Sequence, residues 1–152
     1  AKYLLTIISI LIGFYYYQLN KTILTLNIST ENFDSKYQKL ISNKVIPNIM
    51  LNDMPLSLEN WSSGSNQSWK IRPSGKWKLT VKAAGFYEHI QNIDISLGKK
   101  NIISPIILRR KFGNLTIRTD PSMVNLKLNG IDMGKSPLSL NNLPVCLTIV
   151  GT

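Results

Sequence analysis

The chain has 152 residues, 43% of them hydrophobic, and a formal net charge of +10. That size and apolar content exclude wholesale disorder and leave room for one ordinary domain or two small ones. Its single cysteine, Cys146, excludes an intramolecular disulfide framework and a CxxC-type zinc site.

In chain order, the first feature is Tyr3 to Leu19, seventeen residues without a charge between Lys2 and Lys21. Seventeen is the low end of what spans a hydrocarbon core, and Leu, Ile and Phe each favour insertion by roughly 0.3 to 0.6 kcal/mol. Tyr15, Tyr16 and Tyr17 close the run, where amphipathic rings prefer the headgroup level. No small-x-small cleavage site follows, so the segment is expected to be an uncleaved transmembrane anchor over residues 1–20 rather than a signal peptide. The flanking lysines do not set an orientation.

From Lys21 onward the hydrophobic period is two. Leu24, Leu26 and Ile28 alternate with polar residues, as do Trp77, Leu79, Val81 and Ala83, then Ile93, Ile95 and Leu97, Leu115 and Ile117, and Val124, Leu126 and Leu128. Turn chemistry separates these runs at Asn52-Asp53, Pro73-Ser74-Gly75, Leu97-Gly98 and Asn129-Gly130. Ser35 to Asn43 is the only stretch that reads as a short helix, and Asn60 to Ser68 reads as a polar loop. Regular short strands with turns between them predict a β-sandwich rather than a βαβ sheet.

The positive charge gathers at Lys70, Arg72, Lys76, Lys78 and Lys82, and again at Lys99, Lys100, Arg109, Arg110 and Lys111; no carboxylate lies between Glu59 and Glu88. Because Lys76, Lys78 and Lys82 alternate with apolar residues, the first reading is a solvated strand face. Attraction for anionic lipid, acidic polymer or nucleic acid is the alternative. Trp61, Trp69 and Trp77 recur every eight residues beside this charge. Trp77 fits the inward phase of its strand, whereas Trp61 and Trp69 flank the polar loop. Trp61, Trp69, Lys70, Arg72, Lys76, Lys78 and Lys82 are therefore the candidate surface for stacking and anion binding.

An internal repeat runs through the β part. Thr25-Leu-Asn-Ile-Ser-Thr30 aligns with Asn114-Leu-Thr-Ile-Arg-Thr119, and Leu51-Asn52 followed by Pro55-Leu-Ser-Leu58 aligns with Leu128-Asn129 followed by Pro137-Leu-Ser-Leu140. The second copy, with Asp120-Pro121, Val124 to Gly130, Gly134-Lys-Ser-Pro-Leu138 and Leu143-Pro144, resembles a PEGA domain. In the first copy Trp77 to Val81 and Gly85-Phe86 are similar to that family's closing strand. Ser122-Met123 stand where the family has Glu and Gly, and Cys146 stands at its last glycine. The resemblance implies tandem small Ig- or prealbumin-like sandwiches, a first repeat over 21–112 and an incomplete second over 113–152. It also implies an extracytoplasmic setting and cell-surface or cell-wall interaction or spacing.

Catalytic chemistry is not spelled out by these residues. Gly130 to Ser136 carries three residues between its glycines where a phosphate-binding loop needs four, and Pro137-Leu-Ser-Leu140 points to a strand. His89, the only histidine, adjoins Glu88 but has no nucleophile or metal partner in sequence, and the eight carboxylates are scattered. The expectation is a mainly β, non-enzymatic, single-pass membrane module without cofactor or metal. Its expected partners are the membrane, a cell-wall or anionic surface polymer, or another envelope protein. One alternative is the C-terminal part of a transmembrane Ser/Thr protein kinase whose catalytic motifs lie upstream of Ala1. Another is a basic binder of acidic polymer or, less favoured, nucleic acid.

Overall fold

A computed structural model of the chain describes residues 2–32, 45–58, 60–72, 74–128 and 130–145. The expected short helix at Ser35–Asn43, Cys146 and the Asn129 half of the Asn-Gly turn lie outside the described residues. Among the described residues one helix, α1 (Lys2–Lys21), precedes twelve strands: β1 (Ile23–Thr30), β2 (Asn48–Leu51), β3 (Met54–Leu56), β4 (Asn66–Lys70), β5 (Gly75–Lys82), β6 (His89–Ile95), β7 (Lys100–Ile102), β8 (Ile106–Leu108), β9 (Phe112–Ile117), β10 (Asn125–Leu128), β11 (Ile131–Lys135) and β12 (Leu138–Pro144). The chain is mainly β. The described residues fall into two compact units: those within 1–29, 48–82 and 88–107, and those within 30–47, 83–87 and 108–152.

The N-terminal segment is helical, but the transmembrane expectation is corrected. No helix among the described residues is long and apolar enough to cross a membrane, so a single-pass membrane location is not supported. The physical reason is the composition of α1. Its apolar part, Leu4 to Phe14, is eleven residues long and includes Thr6, Ser9 and Gly13. At about 1.5 Å per residue that run covers roughly 16 Å of a hydrocarbon core about 30 Å thick. Beyond it come three tyrosines, Gln18, Asn20 and Lys21. The Ser9 hydroxyl donates back to the Leu5 carbonyl at 2.9 Å, and Lys21 Nζ lies 4.2 Å from the Tyr17 ring centroid.

The C-terminal end of α1 is pinned to the first unit. Thr22, fully buried, donates through Oγ1 to the Gln18 carbonyl at 3.1 Å and accepts the Gly98 N–H at 2.7 Å. Gly98 has φ +72°, and a Cβ there would sit 1.9 Å from Gln18 Oε1. The left-handed backbone is what favours glycine at this point, since the Gln18 amide is the movable end of a side chain.

The first unit holds two sheets. In one, β1 pairs antiparallel with β4 and parallel with β7, and β8 also pairs β1. In the other the order is β3-β2-β5-β6, antiparallel throughout. Alternation puts Leu24, Leu26 and Ile28 of β1 on one side of the first sheet and Leu79 and Val81 of β5 beside Ile49 and Leu51 of β2 in the second; all are buried, with Ile93 and Ile95 of β6. Burying each such side chain contributes about 1.5 to 3 kcal/mol, which makes this face the unit's main stabilising element. β4 begins within the segment expected to be a polar loop, taking in Asn66 to Ser68, and continues to Lys70. Only Gln67 and Trp69 face inward there, and the strand forms because β1 offers a free edge from Ile23 to Asn27.

The second unit is smaller. β9 pairs with β12 and β10 with β11, all antiparallel, around Leu128, Leu140 and Leu143, with Leu115, Ile131, Met133 and Leu138 packed against them. Phe86 bridges to Arg110, whose guanidinium lies 4.3 Å from the Phe86 ring centroid and whose backbone N–H donates to the Glu31 carboxylate at 3.0 Å. In both units the first strand pairs with the fourth and the second with the third: β1 with β4 and β2 with β3, β9 with β12 and β10 with β11. The aligned Pro-Leu motifs do not occupy equivalent strands, however. Pro55 lies in β3, and Leu138 opens β12.

Candidate functional site

The seven sequence candidates separate in three dimensions. Trp61 is only 6% exposed and belongs to the core rather than to a stacking surface. Trp69 is half-buried opposite Leu24, and its indole N–H donates to the Ser57 carbonyl at 2.6 Å. Lys70 closes β4 and Arg72 follows it, both exposed. Lys76, Lys78 and Lys82 stand exposed on β5, in the other sheet. Lys82 is committed to Glu88, its Nζ 3.0 Å from the carboxylate. The basic cluster is thus divided between the two sheets of one unit, and Lys76 and Lys78 share a concave surface.

That surface is a depression of about 540 Å³ lined by Asn52, Lys76, Trp77, Lys78, Asn92, Ile93 and Asp94. The β5–β6 ladder builds it, placing Lys76 opposite Asp94, Trp77 opposite Ile93 and Lys78 opposite Asn92. Trp77 is half-buried on the inward face of β5, opposite to the face that carries Lys76 and Lys78, and its indole N–H donates to the Ser74 carbonyl at 3.2 Å. Asn52 enters from the β2–β3 turn. Asn52 and Asp53 both have positive φ, +45° and +66°, the geometry a two-residue hairpin turn demands and asparagine and aspartate tolerate. The Asn52 N–H donates to the Lys78 carbonyl at 2.9 Å, and the Lys78 N–H donates to Asn52 Oδ1 at 2.6 Å. The side chain therefore extends the ladder beyond the last β2 residue and fixes the strand that carries Lys78.

Chemically, the depression offers two lysines, two asparagine amides and a carboxylate. Asn52, Asn92 and Asp94 escaped sequence reasoning because they come from a turn and from a neighbouring strand. The signal that could have found them was the Asn-Asp turn combined with the register of the two alternating runs. Elsewhere, His89 Nε2 lies 3.4 Å from Gln91 Oε1, and Glu88 faces Lys82 rather than the imidazole. Among the described residues no group of three or more His, Cys, Asp and Glu side chains could hold a metal ion. The loop-like Gly130 to Ser136 segment contains β11 rather than a helix start, with the Gly134 N–H donating to Asp132 Oδ1 at 2.8 Å.

No family model, curated protein or solved structure matches the chain. The likeness to a PEGA domain accordingly rests on the motifs quoted above.

Proposed function

We propose that the chain is a non-catalytic β module that binds an acidic polysaccharide through the depression of the first unit that carries Lys76 and Lys78. The observation that carries this reading is the composition of that wall. Two exposed ammonium groups suit carboxylate or phosphate substituents, and the Asn52 and Asn92 amides and Asp94 suit sugar hydroxyls. The net charge of +10 adds a long-range attraction for a polyanion. The PEGA resemblance, with its association with cell-wall and surface interaction, points the same way.

Single-stranded nucleic acid is less well served. Stacking on successive bases calls for several accessible rings along a basic groove, and Trp61 is buried while Trp69 is held in the other sheet.

Calorimetric titration of the full chain with a polyuronate oligomer tests the reading. Binding should weaken with salt, and Lys76→Gln with Lys78→Gln should reduce affinity by roughly ten- to a hundredfold, as loss of two charge-assisted contacts implies. Absence of binding, or tighter binding of single-stranded nucleic acid of equal charge, would refute it.

A further inference from the structure

The second unit contains a separate polar depression, about 500 Å³, lined by Thr116, Arg118, Thr119, Ser122, Pro137 and Ser139. Its construction follows from the β9–β12 ladder. Ser139 lies opposite Thr116, their hydroxyls 3.4 Å apart, and Arg118, directly after the last residue of β9, lines the same depression. The far wall is fixed by hydrogen bonds. Thr119 Oγ1 donates to the Pro121 carbonyl at 2.8 Å and bonds the hydroxyl of Ser136, which is buried and accepts the Val124 N–H at 3.2 Å. The Ser136 N–H donates in turn to the Val124 carbonyl at 2.9 Å.

Five of the six lining residues are polar, one is a cation, and none is a carboxylate. Among the described residues Arg118 has neither an ion pair nor a hydrogen-bond partner, so its planar fork of five donors is available. We infer that this depression is a second binding site, one that takes a single oxyanion, carboxylate or phosphate, borne on a hydroxylated chain. Arg118 grips the oxyanion in bidentate fashion, and the hydroxyls of Thr116, Ser122 and Ser139 exchange hydrogen bonds with neighbouring hydroxyl groups. Arg118 lies outside both basic clusters of the sequence, and charge counting alone would pass over it. The inference stands independently of the site on the first unit.

The test is a chemical-shift titration of the isotope-labelled full chain with two probes, inorganic phosphate and galacturonate. The expected result is saturable movement of the amides of 116–119, 122 and 139 with at least one probe. Movement with phosphate alone identifies a phosphate ester as the source, and movement with galacturonate alone an acidic sugar; both support the shared oxyanion chemistry. Arg118→Gln should weaken the response about tenfold, and Arg118→Lys, which keeps charge but loses the fork, by less. The Lys76→Gln, Lys78→Gln double variant should leave it unchanged, which separates this site from the one on the first unit. Should Arg118→Gln fail to give a folded spectrum, Ser139→Ala provides the same comparison through loss of one hydroxyl. Lack of response to either probe overturns the inference. So does a response that survives Arg118→Gln and Ser139→Ala, or one abolished by the lysine double variant.

Discussion

Asn52 performs two tasks at once, and substitution separates them. Its backbone occupies the left-handed region at φ +45°, and its side-chain oxygen accepts the Lys78 N–H at 2.6 Å. Asn52→Ala removes the acceptor, worth about 1 kcal/mol net, and places an alanine where L residues other than Asn and Asp lose roughly another 1 kcal/mol. The expected loss is about 2 kcal/mol, or a urea midpoint lower by about 1 M for a unit of this size. Asn52→Gly keeps the backbone freedom and loses only the acceptor, so it should cost about half as much. Asn52→Asp keeps both features and should lie within about 0.5 kcal/mol of the parent. Urea unfolding followed by tryptophan emission is the suitable assay, because Trp61, Trp69 and Trp77 all belong to the first unit. Equal effects of Ala and Gly would remove the backbone part of the reasoning. An unchanged midpoint for Asn52→Ala would refute it entirely.

Two further substitutions probe the frame around the site. Gly98→Ala should destabilise the first unit by about 1 to 2 kcal/mol through its left-handed φ, and Gln18→Ala in the same chain should relieve only the steric share, since the Gln18 amide is the flexible end of a side chain; full rescue in the same urea assay would contradict the backbone argument. Leu79→Ala, at a fully buried position between Leu51 and Gln91 in the ladder, should cost about 2 to 5 kcal/mol by thermal or urea unfolding, and a loss under about 1 kcal/mol would mean that Leu79 does not stand in a packed core.

The strands with strict alternation could be read directly from the residues. Leu24-Leu26-Ile28 and Trp77-Leu79-Val81 each supply three inward apolar positions, and β1 and β5 lie over those runs. β4 could not be read in this way, because Asn66 to Lys70 is mostly polar and its strand conformation comes from pairing with β1, far away in sequence. α1 was misjudged for a related reason. The tyrosines read as headgroup anchors, yet they, Gln18 and the small polar residues leave the run too weakly apolar to replace water by lipid. At the candidate site Lys76 and Lys78 were visible from charge alone. Asn52, Asn92 and Asp94 were not, since cross-strand register and a turn bring them to the lysines. The same charge counting grouped Lys70 and Arg72 with them, although these residues belong to or follow a strand of the opposite sheet.

Chemical-shift mapping of the full chain with a polyuronate oligomer tests the proposed function most directly. The account predicts saturable, salt-sensitive movement of the amides at Asn52, Lys76 to Lys78 and Asn92 to Asp94, together with the Trp77 indole N–H. Shifts confined to Lys70 and Arg72, or none at all at millimolar oligomer, would contradict it.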